Sequence, residues 1–277
     1  MNGKLKIGEI RYANCTPLYT MLKRLSDCSG FEFVPGEPAK LNLLLARGEI
    51  DISSSSSIEY ARRWREYLAV PGVSISSRGR VGSILLFSRR PIEELSGAVV
   101  AVSAASATSV VLLKSLLKFR YGLQAKLIPE KPILKDMLEG RQAALIIGDE
   151  ALKENLALDS SLGLEVYDLG TIWQEFTGLP FVYALWMMRE DSSMREPSLA
   201  GRFKTGIIAA REAAESRYGE IAAGSPESAW MGVPGLVDYW ETMSYDLTDE
   251  HIAGLMKFYG FARELGEVAE MPVLRFL

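Results

Sequence analysis

The sequence is poor in the residues on which most catalytic, metal and disulfide-stabilised sites depend. Its 277 residues include one histidine, His251, and two cysteines, Cys15 and Cys28. A single histidine excludes any site built on a histidine cluster, and two cysteines are too few for a disulfide framework. Two reduced thiols in a reducing compartment are the simpler interpretation.

Cofactor and metal motifs are missing as well. The chain has no Gly-x-Gly-x-x-Gly turn after a strand, no P-loop, no His-Glu-x-x-His helix and no Cys-x-x-Cys pair. We therefore expect no cofactor and no metal, because the motifs that hold such groups are absent. Side-chain carboxylates are the only obvious acids or bases.

Long apolar runs and an excess of positive charge are also lacking. No run approaches the ~18 apolar residues that a membrane-spanning helix requires. The first residues, MNGKLKIGE, lack the apolar core of a signal peptide. A net charge of −4 predicts no basic surface for nucleic acid. We expect a cytoplasmic protein with neither membrane nor nucleic-acid partners.

Residues 98–117 are the stretch around which the rest of the chain is organised. Val99, Val100 and Val102 predict a buried strand, and apolar residues at helical spacing predict a helix from 110 onwards. Four hydroxyl residues lie within the intervening segment SAASATS, residues 103–109. Free N–H groups at such a helix start would favour a carboxylate or a phosphate. Ordinary capping is an equally good interpretation.

Two further polar residues stand next to predicted strands. Asn14 lies between a first strand and a helix, where open α/β sheets collect ligand-binding residues, although Asn is also an ordinary turn residue. Ser83 is the polar residue of an otherwise apolar segment, residues 81–88. Its hydroxyl is expected either to bond to the backbone or to face a ligand.

Five consecutive serines, residues 53–57, follow another predicted strand. Ser56 and Glu59 have the spacing of a capping box, which predicts that a helix begins here. A serine run usually indicates a flexible linker, but this one has no room between strand and helix. We therefore expect a second polar rim at a helix N-terminus.

The order of the predicted elements indicates two domains. Long apolar strands at residues 81–88 and 181–188 bracket a self-contained block of strands and helices. A chain that leaves one domain, builds a second and returns has this order, with the two strands as hinges. We predict an α/β protein with a discontinuous domain, residues 1–87 and 188–277, and a second domain, residues 88–187.

The part of the chain after residue 189 is predicted to be mainly helical. His251 falls in the first turn of a helix that Thr248 caps, where a surface or packing role is favoured over catalysis. A cluster of aromatic residues in the predicted loop before this helix fits core or cleft lining better than nucleic-acid stacking. These residues are Trp230, Tyr239, Trp240 and Tyr245.

A cleft between two such domains would have a polar rim. Its predicted members are Asn14, residues 53–57, Ser83, residues 103–109, Asp149 and Thr177. Such a rim suits a small anion. The residues alone leave open whether the protein is an enzyme or a binding protein, because a fold does not fix a function.

A set of motifs spread over residues 5–190 resembles the chorismate dehydratase family of the futalosine route to menaquinone. The motifs are IGEIRYANCTP (7–17), GEP (36–38) with LN (41–42), GEID (48–51), SSIEYA (56–61), GS (82–83), SATS (106–109), GDEAL (148–152), DLG (168–170) with Trp173, and TGLPFV (177–182). The resemblance implies a type II periplasmic-binding-protein-like fold, with a cleft between two mixed-sheet α/β domains joined by two hinge strands.

The resemblance also implies a reaction, the loss of water from chorismate to give 3-[(1-carboxyvinyl)oxy]benzoate. Asn14 and Ser83 are the implied catalytic residues near the departing hydroxyl. The implied substrate-binding residues are Ser55, Ser56, Ser57, Ser106, Thr108, Ser109, Gly148, Asp149 and Thr177. The base would be Asp149, Glu150 or the enolpyruvyl carboxylate of the substrate, and the last is preferred.

Two other functions stay open at this stage. A sister family with the same fold makes 1,4-dihydroxy-6-naphthoate later in the same pathway, but the segments around Asn14 and Glu59 look more like the dehydratase. A non-catalytic binding protein for a small aromatic carboxylate is the other alternative. We expect a monomer or a homodimer.

Overall fold

The computed structural model describes residues 3–104 and 107–277 and shows an α/β protein. Its strands are β1 (Leu5–Glu9), β2 (Phe31–Pro35), β3 (Ile52–Ser56), β4 (Tyr67–Ser77), β5 (Ile84–Ser88), β6 (Val99–Ser103), β7 (Lys126–Glu130), β8 (Ala143–Ile147), β9 (Glu165–Asp168), β10 (Phe181–Arg189) and β11 (Met243–Leu247). Its helices are α1 (Thr16–Leu25), α2 (Pro38–Ala46), α3 (Ser57–Arg63), α4 (Ala107–Ser115), α5 (Leu134–Met137), α6 (Gly148–Leu156), α7 (Leu169–Thr177), α8 (Glu190–Arg195), α9 (Pro197–Ala214), α10 (Tyr218–Ala223), α11 (Ser228–Thr242) and α12 (Asp249–Glu264).

The strands form two mixed sheets. The six-stranded sheet has the order β11-β4-β10-β3-β1-β2, with β1 parallel to β2 and β3, and with β10 antiparallel to β3 and β4. The five-stranded sheet has the order β7-β6-β8-β5-β9, with β6 parallel to β7 and β8. The residues that follow β1, β3, β6 and β8 therefore lie at the carboxyl ends of parallel strands, where α/β sheets place their ligand sites.

The chain crosses between the sheets at residues 78–83 and 169–180. Both crossings directly precede the strands that were predicted as hinges. β5 is an inner strand of the five-stranded sheet and β10 an inner strand of the six-stranded sheet. The residue limits predicted for the two domains stay a prediction, and any hinge bending belongs to the crossing segments because inner strands are hydrogen-bonded on both edges.

One carboxylate ties the two crossings together. Asp168 accepts hydrogen bonds from the backbone N–H groups of Gly170 and Thr171, at the start of α7, and of Val81 and Gly82 in the first crossing, at 2.7–3.1 Å. The packing is tight, since a Cβ added at Gly170 would lie 2.4 Å from the carbonyl oxygen of Gly79.

The strand and the helix predicted over residues 98–117 are present as β6 and α4, and the predicted turn between them lies partly outside the described residues. The capping box predicted for Ser56 and Glu59 is wrong, because the Ser56 hydroxyl accepts a hydrogen bond from the Asn42 amide at 3.2 Å instead.

In the C-terminal part, the predicted loop that carries the aromatic cluster is wrong. Its residues belong to α11 and β11. His251 is buried and completes the cap of α12, with Nδ1 2.8 Å from the Thr248 hydroxyl oxygen. Among the residues that the structure describes, no helix has the length and apolar character needed to cross a membrane.

Candidate active site

A small cavity of about 70 Å³ lies between the two sheets. It is lined by Ile10, Tyr12, Asn14, Cys15, Pro38, Ser54, Ser56, Ile75, Ser83, Ile84, Ser109, Ile147, Gly148, Tyr183 and Ala184. The lining combines apolar walls with a few polar groups, as is typical of sites for small organic ligands. Five of the predicted site residues meet here, namely Asn14, Ser56, Ser83, Ser109 and Gly148.

Asn14 lies in the loop between β1 and α1, and neighbouring elements fix the backbone of this loop. The N–H of Ala13 donates to the Asp149 carboxylate at 2.9 Å, and its carbonyl accepts from the Trp240 indole at 2.8 Å. The Asn14 carbonyl accepts from the Tyr245 hydroxyl at 2.9 Å. The side-chain oxygen Oδ1 is buried without a hydrogen-bond partner among the described residues. Because a buried polar atom without a partner is costly, this amide is available to a ligand.

Ser83 ends the first crossing, next to β5, and is 2% exposed. Its Oγ accepts a hydrogen bond from the Tyr239 hydroxyl at 2.9 Å. Its carbonyl accepts from the Gly148 N–H at 2.7 Å, which joins the crossing to the start of α6. Since the Tyr239 proton already occupies one lone pair of Oγ, the Ser83 proton is free to donate elsewhere.

The aromatic cluster of α11 and β11 therefore positions the two predicted catalytic residues. Tyr239 bonds to the Ser83 side chain, while Trp240 and Tyr245 hold the loop of Asn14. The sequence predicts core or cleft lining for this cluster but gives no indication of these contacts. Composition carried the only signal, four aromatic residues within sixteen positions.

In the serine run at residues 53–57, the serines of β3 point to different faces of the strand, and only some of them reach the cavity. Ser54 and Ser56 line the cavity. Ser55 is buried but is not among the lining residues, because successive side chains of a strand point to opposite faces. Ser57 is the first residue of α3, and its hydroxyl lies 3.4 Å from that of Thr108.

Thr108 and Ser109 lie in the first turn of α4, where one contacts a neighbouring helix and the other lines the cavity. The Thr108 hydroxyl accepts a hydrogen bond from the backbone N–H of Ile58 at 3.3 Å and so links α4 to α3 across the cleft. Ser109 lines the cavity. Ser106, which was predicted with them, lies outside the described residues.

The last three predicted residues differ in position, because Gly148 lines the cavity whereas Asp149 and Thr177 do not. Gly148 has φ +67°, and an added Cβ would lie 2.7 Å from the Tyr12 ring, so the position requires glycine. Asp149 is 8% exposed and contacts the loop of Asn14 rather than the cavity. Thr177 closes the end of α7, where its hydroxyl donates to the Trp173 carbonyl at 2.8 Å.

The titratable groups that line the cavity are all held in their neutral form. Burial raises the pKa of the Cys15 thiol to about 12. Burial likewise raises the pKa of Tyr12 and of Tyr183 above that of an ordinary phenol. The described lining contains no carboxylate, imidazole or amine. The cavity thus offers hydrogen bonds but no side-chain base at neutral pH.

Solved structures with this fold include a protein from Archaeoglobus fulgidus and the alkanesulfonate-binding protein of Xanthomonas axonopodis. The first has a TM-score of 0.72 and 20% identity, covering 96% of this chain and 98% of the other. The second has a TM-score of 0.71 and 11% identity, covering 98% and 96%. With the two mixed sheets, these similarities confirm the predicted two-domain, type II periplasmic-binding-protein-like fold.

Curated relatives give closer matches. A chorismate dehydratase of Thermus thermophilus is 33% identical over 91% of this chain and 93% of its own, and one of Campylobacter jejuni is 33% identical over 72% and 74%. A 1,4-dihydroxy-6-naphthoate synthase of Thermus thermophilus is 28% identical over 87% and 82%. A family model described as menaquinone biosynthesis matches residues 5–264. The chain therefore belongs to the menaquinone biosynthesis family, together with these chorismate dehydratases.

Proposed function

We propose that this protein is a lyase that dehydrates chorismate to 3-[(1-carboxyvinyl)oxy]benzoate in the futalosine route to menaquinone. The family and its chorismate dehydratase relatives support the reaction class. The observation that carries the proposal at the level of the site is the convergence of Asn14 and Ser83 on a cavity whose described lining has hydrogen-bonding groups but no side-chain base.

The chemistry of chorismate explains why such a cavity suffices. The reaction removes the C3 proton and the C4 hydroxyl, and the ring becomes aromatic. The C3 proton is vinylogous to the ring carboxylate, so the negative charge that develops at C3 spreads into that group. Hydrogen-bond donors aimed at the ring carboxylate therefore stabilise the transition state more than the ground state.

Ser83 is the donor that we assign to the departing C4 hydroxyl. Its proton is free because Tyr239 already donates to Oγ. Burial raises the pKa of Tyr239, so that residue keeps its proton and continues to polarise Ser83. The Asn14 side chain holds the substrate close to the departing C4 hydroxyl. Three hydrogen bonds to the backbone of Ala13 and Asn14 fix the loop that carries it.

The substrate itself is the base that we assign. The enolpyruvyl carboxylate, which is attached through oxygen at C3, takes the C3 proton as the C4 hydroxide leaves. The hydroxide then receives this proton and departs as water, which regenerates the carboxylate. The neutral lining favours this assignment, because Cys15, Tyr12 and Tyr183 keep their protons at neutral pH. Of the two side-chain alternatives, Asp149 accepts a hydrogen bond from the Ala13 peptide, and Glu150 is not among the lining residues.

Substrate binding is divided between direct and indirect contacts. We assign the two carboxylates of chorismate to the hydroxyls of Ser56 and Ser109, with Gly148 shaping the wall beside them. Ser57 and Thr108 act indirectly by joining α3 to α4. Ser55 and Thr177 have internal positions and are assigned no direct contact.

Sequence similarity separates this function from that of the sister enzyme. The naphthoate synthase relative is 28% identical to this chain, whereas the two dehydratase relatives are 33% identical. The dehydratase reaction is therefore favoured. A cytoplasmic location and a monomeric or homodimeric state complete the proposal, to be checked by cell fractionation and light scattering.

The test is to mix the purified protein with chorismate and follow the ultraviolet spectrum and the product mass. We expect an aromatic enolpyruvoyl ether that is lighter than chorismate by one water. Intact chorismate would refute the dehydratase. Thermal stabilisation by chorismate without turnover would then indicate a binding protein, and turnover of the cyclic futalosine product would indicate the sister enzyme.

A further inference from the structure

Asp149 is a buried carboxylate that the proposed chemistry does not use. It stands in the first turn of α6, directly after β8 of the five-stranded sheet. Its Oδ1 accepts a hydrogen bond of 2.9 Å from the N–H of Ala13, a residue of the loop that leaves the six-stranded sheet. The contact therefore crosses the cleft, and it ends one residue before Asn14.

The same place holds a second close contact across the cleft. The Tyr12 ring lies against Gly148, so near that a Cβ there would approach it to 2.7 Å. Gly148 in turn donates its N–H to Ser83. Gly148 and Asp149 thus contact both the loop of Asn14 and Ser83, the other predicted catalytic residue.

We propose that Asp149 is a positioning residue, whose carboxylate holds the Ala13 peptide across the cleft and so sets the orientation of the Asn14 amide. This inference rests on the proposed dehydratase function. It assigns Asp149 neither substrate contact nor proton transfer, in contrast to the substrate-binding role predicted from the sequence.

The surroundings of Asp149 make this contact sensitive to pH. Burial, opposed by the Ala13 hydrogen bond, raises the pKa of Asp149 to about 6. The charged or titratable groups that face it are Glu227 before α11, Glu150 and Lys153 on α6, Tyr12 and Cys15 in the loop before α1, and Tyr239 on α11. An ionised carboxylate accepts the Ala13 hydrogen bond more strongly than a neutral acid. Positioning of Asn14 should therefore improve as pH rises through about 6.

The experiment compares wild type with Asp149→Asn and Asp149→Ala, and uses Asp136→Asn, an exposed carboxylate of α5, as the control. For each, kcat and KM for chorismate are measured from pH 5 to pH 8. Amide hydrogen exchange is measured, in parallel and without substrate, for peptides that cover residues 11–16. The exchange measurement needs no activity, so it stays informative if the dehydratase proposal fails.

Asp149→Asn keeps an acceptor oxygen without the charge, so we expect it to retain at least about one tenth of the wild-type kcat near pH 7.5 and to lose the acidic limb of the pH profile. Asp149→Ala should lower kcat more than about tenfold and expose the Ala13 amide to faster exchange. The control should match wild type.

Two results would overturn the inference. Wild-type exchange and wild-type kcat in Asp149→Ala would show that the contact positions nothing. An Asp149→Asn variant that is inactive at every pH but exchanges like wild type would show that the carboxylate takes part in the chemistry. If Asp149→Ala fails to fold, the pH profile and exchange of Asp149→Asn decide alone.

Discussion

Asn14 and Ser83 reach the same cavity from different parts of the chain and are held in opposite ways. The backbone of the Asn14 loop is bonded to Asp149, Trp240 and Tyr245, while its side-chain Oδ1 has no partner among the described residues. Ser83 has its side chain bonded to Tyr239. One residue is positioned through its peptide groups and the other through its hydroxyl.

This difference separates two ways of preparing a polar group for a substrate. A side chain on a fixed backbone keeps its whole hydrogen-bonding capacity for the ligand, so its removal costs all of its contacts. A hydroxyl with a bonded lone pair keeps one proton to donate, in a direction that its partner sets. Substitutions of the two residues should therefore lower kcat by different factors. The effect at Ser83 should also depend on its hydrogen-bond partner, Tyr239.

Asn14→Ala should have the largest effect. It removes the side chain that is free for substrate while leaving the bonded peptide groups in place. We expect kcat to fall by about a hundredfold, or about 2.7 kcal/mol of transition-state stabilisation, with little change in thermal stability. Steady-state kinetics and a melting curve measure both, with Asn155→Ala on the exposed face of α6 as the control. Wild-type turnover would remove Asn14 from the site.

Ser83→Ala should have the next largest effect. It removes the donor assigned to the leaving hydroxyl and also leaves the buried Tyr239 hydroxyl without its acceptor. A fall in kcat of more than about tenfold, or about 1.4 kcal/mol, is expected. Ser216→Ala, at an exposed position after α9, is the matched control. Unchanged kinetics would contradict the role of Ser83.

Tyr239→Phe should have a smaller effect that depends on Ser83. Loss of the phenol removes the bond that orients the Ser83 hydroxyl, so we expect kcat to fall about three- to tenfold. In the double variant with Ser83→Ala, the Tyr239 change should cost almost nothing more, because its partner is already gone. Tyr218→Phe serves as the control. Fully additive effects would show that the two hydroxyls act separately.

Thr108→Val should have the smallest effect, and on binding rather than on turnover. The substitution removes the hydroxyl that accepts from the Ile58 N–H across the cleft. We expect KM for chorismate to rise several-fold with kcat nearly unchanged, because closure becomes less favourable. Thr205→Val on the exposed side of α9 controls for the change of side chain. An unaltered KM would refute this assignment.

Most of the strands and the general place of the site could be predicted from the sequence. The periodicity of apolar residues predicts β6 and α4. Asn14 and the serine run are predicted as site residues because they follow predicted strands. Those signals are local, so a single chain carries them. Sheet membership is not local, which is why β5 and β10 were predicted as hinges although each is an inner strand of one sheet.

The finer geometry of the site depends on contacts between distant residues. Ser55 and Ser56 differ only in the face of β3 to which they point, and a shift of one residue in pairing would exchange them. The partner of Ser83, Tyr239, lies 156 residues further along the chain. Asp149 reaches Ala13 over 136 residues. No spacing rule connects such pairs, so these roles required the structure.

The position of β10 also has a consequence for folding. The five-stranded sheet uses one uninterrupted stretch, residues 84–168, whereas the six-stranded sheet needs β10 between β3 and β4, which precede that stretch. Pairing over such long sequence separations is slow because it closes large loops. The contiguous sheet is therefore expected to fold first. The arrival of β10 then completes the other sheet, and with it the cleft that both sheets enclose.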